Sequence, residues 1–326
     1  MNTPSTDTRT GRFNYLNRST QPSLFRNGKV YTKRDADGSD SGVVGVERDA
    51  RDVTVYNART LPAAERKSLA THGFDLLDAP LDDDALDFMD HSAVLEHYYP
   101  QCEALVAGAT GARAWAFDHN IRSAVGKKSR ARIRDGQQVQ GPAKIVHGDY
   151  TLHSAPARLQ DLARPPALND TIASRLAPGA TLLDATAVAG ALRDGRFAII
   201  NVWRSIADEP VYTDPLALCD SQTVAPEDLV VFEIHYADRI GENYFARPSD
   251  RHRFYFYPQM VRSEAMLIKQ WDSAGPMARS NGERADASDP EQPSTFSFHS
   301  AFDDVTVPDD APDRHSIEVR CMVIYE

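Results

Sequence analysis

The pattern of apolar and polar positions changes character along the chain. Residues 1 to about 52 are polar and irregular, with a loop at Asp35–Gly42 and only a short alternation, Val53-Thr54-Val55-Tyr56, after it. That stretch reads as an arm or cover. From Pro62 to about Ala109 the apolar positions Leu69, Leu76, Leu86, Phe88, Met89, Val94, Leu95 and Leu105 recur at roughly helical spacings, which predicts two or three helices. From about Arg113 the pattern becomes short β-branched and aromatic runs bounded by Pro, Gly and Asp. They are Ala114–Phe117, Lys144–His147, Phe197–Trp203, Leu229–Ile234, Phe254–Tyr257, Ala265–Lys269 and Ile317–Tyr325. Helical connections are expected at Pro156–Leu162 and Asp184–Leu192. The fold class is therefore mainly β with flanking helices, a β-sandwich or jelly roll with helices packed on one side.

Composition narrows the function more than the fold. The chain has 326 residues, 41% of them hydrophobic, and 36 Lys+Arg against 47 Asp+Glu give a net charge of −11. This excludes a disordered chain, and it excludes a whole-molecule cationic face for nucleic acid or an anionic membrane. No run approaches the ~18 apolar residues of a membrane helix, and the start lacks a secretory apolar run, so the expected location is cytoplasmic. The expected partners are a small-molecule substrate and, at most, a second copy of the chain in a homodimer. Cys102, Cys219 and Cys321 are too few and too far apart for a disulfide framework or a thiolate metal site, and read as small apolar fillers. The basic run Lys127–Arg134 reads as a solvated loop.

His147-Gly148-Asp149 is the chain's His-x-acid triplet, at the end of an apolar strand. Ten histidines and 47 acids in 326 positions supply about 1.4 such triplets by chance, so its weight comes from context. Positions i and i+2 of a strand share a face, so His147 and Asp149 reach one metal ion together. A third imidazole from a distant strand would complete a 2-His-1-carboxylate face, which leaves positions on iron(II) for a chelating 2-oxo acid and O2. His299 lies downstream, and Arg314-His315-Ser316 follows fifteen residues later, placing a guanidinium and a hydroxyl where they would clasp a carboxylate. His252 with Arg262-Ser263 is a rival pair, but it leaves the last strand without a role.

From about Tyr98 to the C-terminus the chain resembles the hydroxylase/desaturase family that includes the fungal gibberellin desaturase, AsaB-like and CmcJ-like proteins. The blocks that carry the resemblance are Val146–Thr151, Asn201–Ile206 with Asp214–Asp220, Phe254–Met260, Ile268–Ser273, and His299–Asp304 with Arg314–Arg320. Ser205, Trp271 and His315 depart from its usual Pro, Tyr and Glu. The resemblance implies a double-stranded β-helix (jelly roll, cupin-like) core that uses iron(II), 2-oxoglutarate and O2. It implies His147, Asp149 and His299 as metal ligands, with Arg314 and Ser316 clasping the distal carboxylate of 2-oxoglutarate. Arg320 is the second choice for that clasp. The expected reaction is hydroxylation or desaturation of an unactivated C–H bond of a small metabolite in secondary metabolism, with release of succinate and CO2. The expected organisation is an irregular arm and helical covering segment over residues 1–112 and a catalytic β-helix domain over 113–326. The alternative is a non-oxidative cupin-like protein that binds a metal or a carboxylate as an isomerase, hydrolase or sensor.

Overall fold

Alternating burial near the N-terminus, with Gly11, Phe13 and Tyr15 inward and Arg12 and Asn14 exposed or half-exposed between them, makes Thr8–Leu16 a strand. In the computed structural model, which describes residues 8–34, 40–129, 131, 133–134, 138–167, 170–237, 239–286, 292–308 and 310–326, the chain runs as follows. The first half contains β1 (Thr8–Leu16), β2 (Tyr31–Arg34), β3 (Asp40–Val44), β4 (Arg48–Asn57), β5 (Phe74–Asp78), α1 (His91–Ala93), α2 (Tyr99–Thr110), β6 (Arg113–Ser123), α3 (Ala124–Lys128), β7 (His147–Gly148) and α4 (Ser154–Asp161). The second half contains α5 (Ala185–Arg193), β8 (Arg196–Ser205), β9 (Leu216–Cys219), β10 (Leu229–His235), β11 (Ile240–Ala246), β12 (Phe254–Phe256), β13 (Glu264–Asp272), α6 (Pro276–Arg279), β14 (His299–Ala301), β15 (Asp303–Asp304) and β16 (His315–Tyr325).

Two sheets result. The larger has the order β15-β1-β4-β12-β9-β14-β7-β11-β10-β2-β3, and the smaller β5-β13-β8-β16-β6. Their facing sides enclose a core rich in aromatic rings, including Phe13, Phe254, Phe296, Phe298 and Phe302, with Ile199, Trp271 and Met322 from the smaller sheet. The outer side of the smaller sheet, with Ile200, Val202, Ile317, Val319 and Cys321, is covered by α2 through Tyr99, Cys102 and Val106. Those three recur at i, i+3 and i+7, one stripe of a helix. Pro100 starts α2, and Gly111, at φ +67°, ends it. All three cysteines are buried free thiols. Among the described residues no helix is long and apolar enough to cross a membrane.

Two expectations are corrected here. The arm is not irregular: β1 pairs with β4 across nine positions, and β4 runs parallel to β12, so it is part of the larger sheet. Thr10, Arg12, Asp52 and Thr54, on the exposed side of the two strands, and Arg9 and Arg51 among the inward positions, dilute the apolar alternation. The covering segment also holds only one long helix, α1 continuing through a π turn at Val94–Tyr98 into α2, while Phe74–Asp78 is the edge strand beside β13. Leu76 fits either period, and pairing with β13 decided between them. Arg130 and Arg132 of the basic run lie outside the described residues; Arg134 pairs with Asp87 and Asp90 at the surface.

Candidate metal centre

β7 and β14 lie side by side in the middle of the larger sheet, with His147 opposite His299. Asp149 follows β7 immediately. His147 Nε2 is 3.7 Å from Asp149 Oδ1, His299 Nε2 is 4.0 Å from the same oxygen, and the ring centroids are 4.3 Å apart. A ligand atom of each lies within 4.8 Å of the others, and all three side chains are at least nine-tenths buried. Among the described residues these are the His, Cys, Asp or Glu side chains that gather closely enough to hold a metal ion.

The protonation states suit a cation. Burial pushes the His147 imidazolium down to about 4, with the neighbouring His299 adding to the shift, and burial likewise lowers His299. Burial alone would raise Asp149, but the Arg320 guanidinium, the two imidazoles and the Asn201 amide reverse that and hold it below the usual carboxylate range. Near neutral pH the trio is two neutral imidazoles and one carboxylate. His147 Nδ1 lies 2.7 Å from the Ile145 carbonyl, so Nδ1 carries the proton and Nε2 presents its lone pair to the cluster. That donor set fits iron(II).

The facing wall comes from the smaller sheet. Along β16, Ser316, Glu318 and Arg320 point inward with Met322, while Ile317, Val319 and Cys321 point to α2. Arg320 sits opposite Asn201 of β8 and Asp118 of β6, and Ser316 sits opposite Arg122. This makes a polar band in an otherwise apolar interior. Arg320 gives Nη1 to Asp118 at 2.9 Å, Nε to Asp149 at 3.3 Å and Nη2 to Glu318 at 3.4 Å. Each of its three nitrogens thus already faces a carboxylate, in contrast to the unpaired Nε of Arg314, the first choice for the clasp. Arg314 is buried, hands Nη1 to the Asp214 carbonyl and lies 5.6 Å over the Trp203 ring. Burial lowers the pKa of its guanidinium to about 10, against the opposing pull of Asp214. Among the described residues neither Arg314 Nε nor Ser316 Oγ, both buried, has a hydrogen-bond partner, the state of groups that await an acceptor. A dicarboxylate cosubstrate would fill that need.

Several further roles resolve. Asn201 and Trp203 face inward, whereas Arg204 faces the helix layer, where it donates to Tyr98 Oη and to the Ala79 and Arg262 carbonyls. Arg204 is structural. Lys269 is buried on the carbonyls of Ala70 and Ser294 beside Asp272, away from the cluster. The rival ligand His252 is 3.3 Å from Asp228 and 3.4 Å from Tyr15 Oη, outside the cluster. Sequence reasoning missed Gln270, which receives the Asp149 N–H at 3.1 Å, and Arg122, a half-buried cation opposite Ser316 that donates to the Gly141 carbonyl. Arg122 lies on the inward parity of β6, beyond the Ala114–Phe117 run that the sequence marks as strand. Gln270 lies where the pairing of β13 with β8 shifts register, and no pattern in the sequence marks it.

A family model described as "Oxidoreductase/YMDC permease-like domain" matches residues 13–324. The chain is 43% identical over 195 residues to a Methylophilus leisingeri protein named "Uncharacterized protein in dcmA 3'region", an alignment covering 59% of this chain and 88% of that one. It is 29% identical over 277 residues to the "Fe(II)/2-oxoglutarate-dependent dioxygenase nvfI" of Aspergillus novofumigatus, covering 83% of this chain and 82% of that one. A solved structure titled "iron and alpha-ketoglutarate-dependent endoperoxidase NvfI" superposes with a TM-score of 0.71 over 98% of both chains at 22% identity. At that identity the likeness establishes the fold, the double-stranded β-helix expected from the sequence.

Proposed function

The chain belongs to the oxidoreductase family whose model spans residues 13–324, and from that premise we propose that it is an iron(II)- and 2-oxoglutarate-dependent oxygenase. It hydroxylates or desaturates an unactivated C–H bond of a small metabolite in secondary metabolism, releasing succinate and CO2. The observation that carries this reading is the convergence of neutral His147 and His299 and ionised Asp149 on one buried point. The names of the relatives support oxidation over the isomerase, hydrolase or sensor alternative.

When bound there, iron supplies the oxidising chemistry, with 2-oxoglutarate and O2 as cosubstrates. The chain's own residues do the rest. His147, Asp149 and His299 would offer three donors to one ion, and among the described residues no fourth His, Cys, Asp or Glu joins them. Arg314 Nε and Ser316 Oγ receive the distal carboxylate. The aromatic core beneath and the apolar Trp203, Ile268 and Met266 beyond keep bulk water from the centre. The same reading places the enzyme in the cytoplasm, acting on a small molecule without nucleic acid or membrane.

The test is anaerobic addition of iron(II) and then 2-oxoglutarate to the metal-free protein, followed by visible absorption. A weak charge-transfer band is expected in the wild type and none in His299→Ala. In Arg314→Met iron should still bind, while the 2-oxoglutarate concentration for half-maximal band rises at least about tenfold, the cost of a charge-assisted pair. Absence of the band in the wild type, with no succinate released in air, refutes the proposal.

A further inference from the structure

The two oxygens of Asp149 have different surroundings. Oδ1 faces His147 Nε2 at 3.7 Å and His299 Nε2 at 4.0 Å. Oδ2 accepts from Asn201 Nδ2 at 3.0 Å and from Arg320 Nε at 3.3 Å. The backbone N–H of the same residue donates to Gln270 Oε1 at 3.1 Å. All three partners belong to the smaller sheet, on β8, β16 and β13, whereas His147 and His299 lie on the larger and Asp149 directly follows its strand β7. The carboxylate is thus gripped from across the interior.

The grip is itself braced. Asn201 and Arg320 are register partners on adjacent strands, and Asn201 is wholly buried. Arg320 is fixed by Asp118 at 2.9 Å and Glu318 at 3.4 Å, and the other oxygen of Asp118 accepts from the Thr171 hydroxyl. Rotating Asp149 to offer Oδ2 to a cation would break two hydrogen bonds and leave a largely buried guanidinium short of a partner, so the rotation is disfavoured.

A carboxylate free to rotate can give both oxygens to one metal ion, and each oxygen occupies a position. We infer that Asn201 and Arg320 are positioning residues that confine Asp149 to ligation through Oδ1. They thereby preserve a position that a chelating 2-oxo acid and O2 together require. The inference rests on the metal reading and adds a role that the ligand set does not specify.

Two substitutions leave the charge around Asp149 unchanged, so a change in binding reports geometry. Asn201→Ala removes one donor, and Arg320→Lys keeps the cation but loses the planar fork. Cobalt(II) is titrated into metal-free protein, and 2-oxoglutarate is then titrated anaerobically at saturating cobalt(II), with the cobalt absorption as signal. The expected result for both variants is cobalt(II) affinity lower by about tenfold, in the range set by removal of groups that orient a ligand. The 2-oxoglutarate dissociation constant at saturating metal should rise at least about tenfold. A purely structural role would lower the unfolding midpoint of the metal-free protein and leave that second constant alone. Wild-type 2-oxoglutarate affinity in folded Asn201→Ala overturns the inference, and this variant decides alone if Arg320→Lys does not fold. His147→Ala, Asp149→Ala and His299→Ala test the premise separately. If cobalt(II) binding survives in them, it is the metal reading that fails.

Discussion

His119 gives a pH dependence of stability whose size follows from its surroundings. It lies on the outer side of β6, 3% exposed, with Nδ1 2.9 Å from Tyr99 Oη, its ring edge-on to Tyr99 and tilted against His91. Burial brings its imidazolium down to about 4 from 6.5; Asp118 opposes the shift, while His91 and Arg320 add to it. Between pH 6.5 and pH 4 the unfolded chain therefore binds a proton that the folded chain does not. The stabilising contribution is fully present above pH 6.5 and is lost as pH falls toward 4. Over the whole window the shift corresponds to about 3 kcal/mol, and between pH 8 and pH 5 to about 2 kcal/mol. The perturbation is His119→Gln, which keeps a polar partner for Tyr99 but does not titrate. Urea unfolding of metal-free protein at pH 8 and pH 5 gives the stability difference for each protein. Other buried groups titrate in both proteins and cancel in the comparison. The wild type should lose about 2 kcal/mol more than the variant on acidification. Equal losses would mean that the folded protein accommodates a charged His119, and the reasoning from burial would be refuted.

Two further outcomes follow from packing. A Cβ added at Gly148, between the two candidate ligands, would stand 3.0 Å from Cδ2 and Cε2 of Phe296, a ring wedged among Trp271, Tyr244 and Phe298. Gly148→Ala should cost about 1–3 kcal/mol in urea unfolding and weaken cobalt(II) binding, since His147 and Asp149 must shift with the backbone. Unchanged stability and affinity would show that the ring yields freely. Arg204→Met removes hydrogen bonds of 3.0, 2.7 and 2.6 Å from a fully buried guanidinium. It should lower stability by about 3 kcal/mol or more without altering cobalt(II) affinity, and lost affinity at unchanged stability would place Arg204 in the site after all.

Much of the site was legible because its logic is local or ordinal. His147 and Asp149 are two residues apart, and the order His299, Arg314, Ser316 survives any folding of the chain between them. The runs that form β6, β8 and β16 were legible because both faces carry apolar residues, one side packing on the aromatic core and the other on α2. The N-terminal strands were not. β1 and β4 bury one side only, and arginines and threonines on the other dilute the signal until partners in β12 and β15 supply the missing pairing.

Arg320 marks where sequence reasoning stops. Its inward parity on the last strand was readable, but parity assigns a side chain to a face and says nothing about what faces it across the interior. The ion pairs with Asp118 and Asp149 depend on the register of β16 against β6 and on the spacing of the two sheets, quantities set by the whole core. The sequence by itself determined the fold class, the three candidate ligands and the cation that follows them. Tertiary structure alone decided which arginine grips Asp149, which keeps an unpaired Nε among the described residues and which ties a strand to the covering segment. Guanidinium groups are chemically alike, and only their partners in space tell them apart.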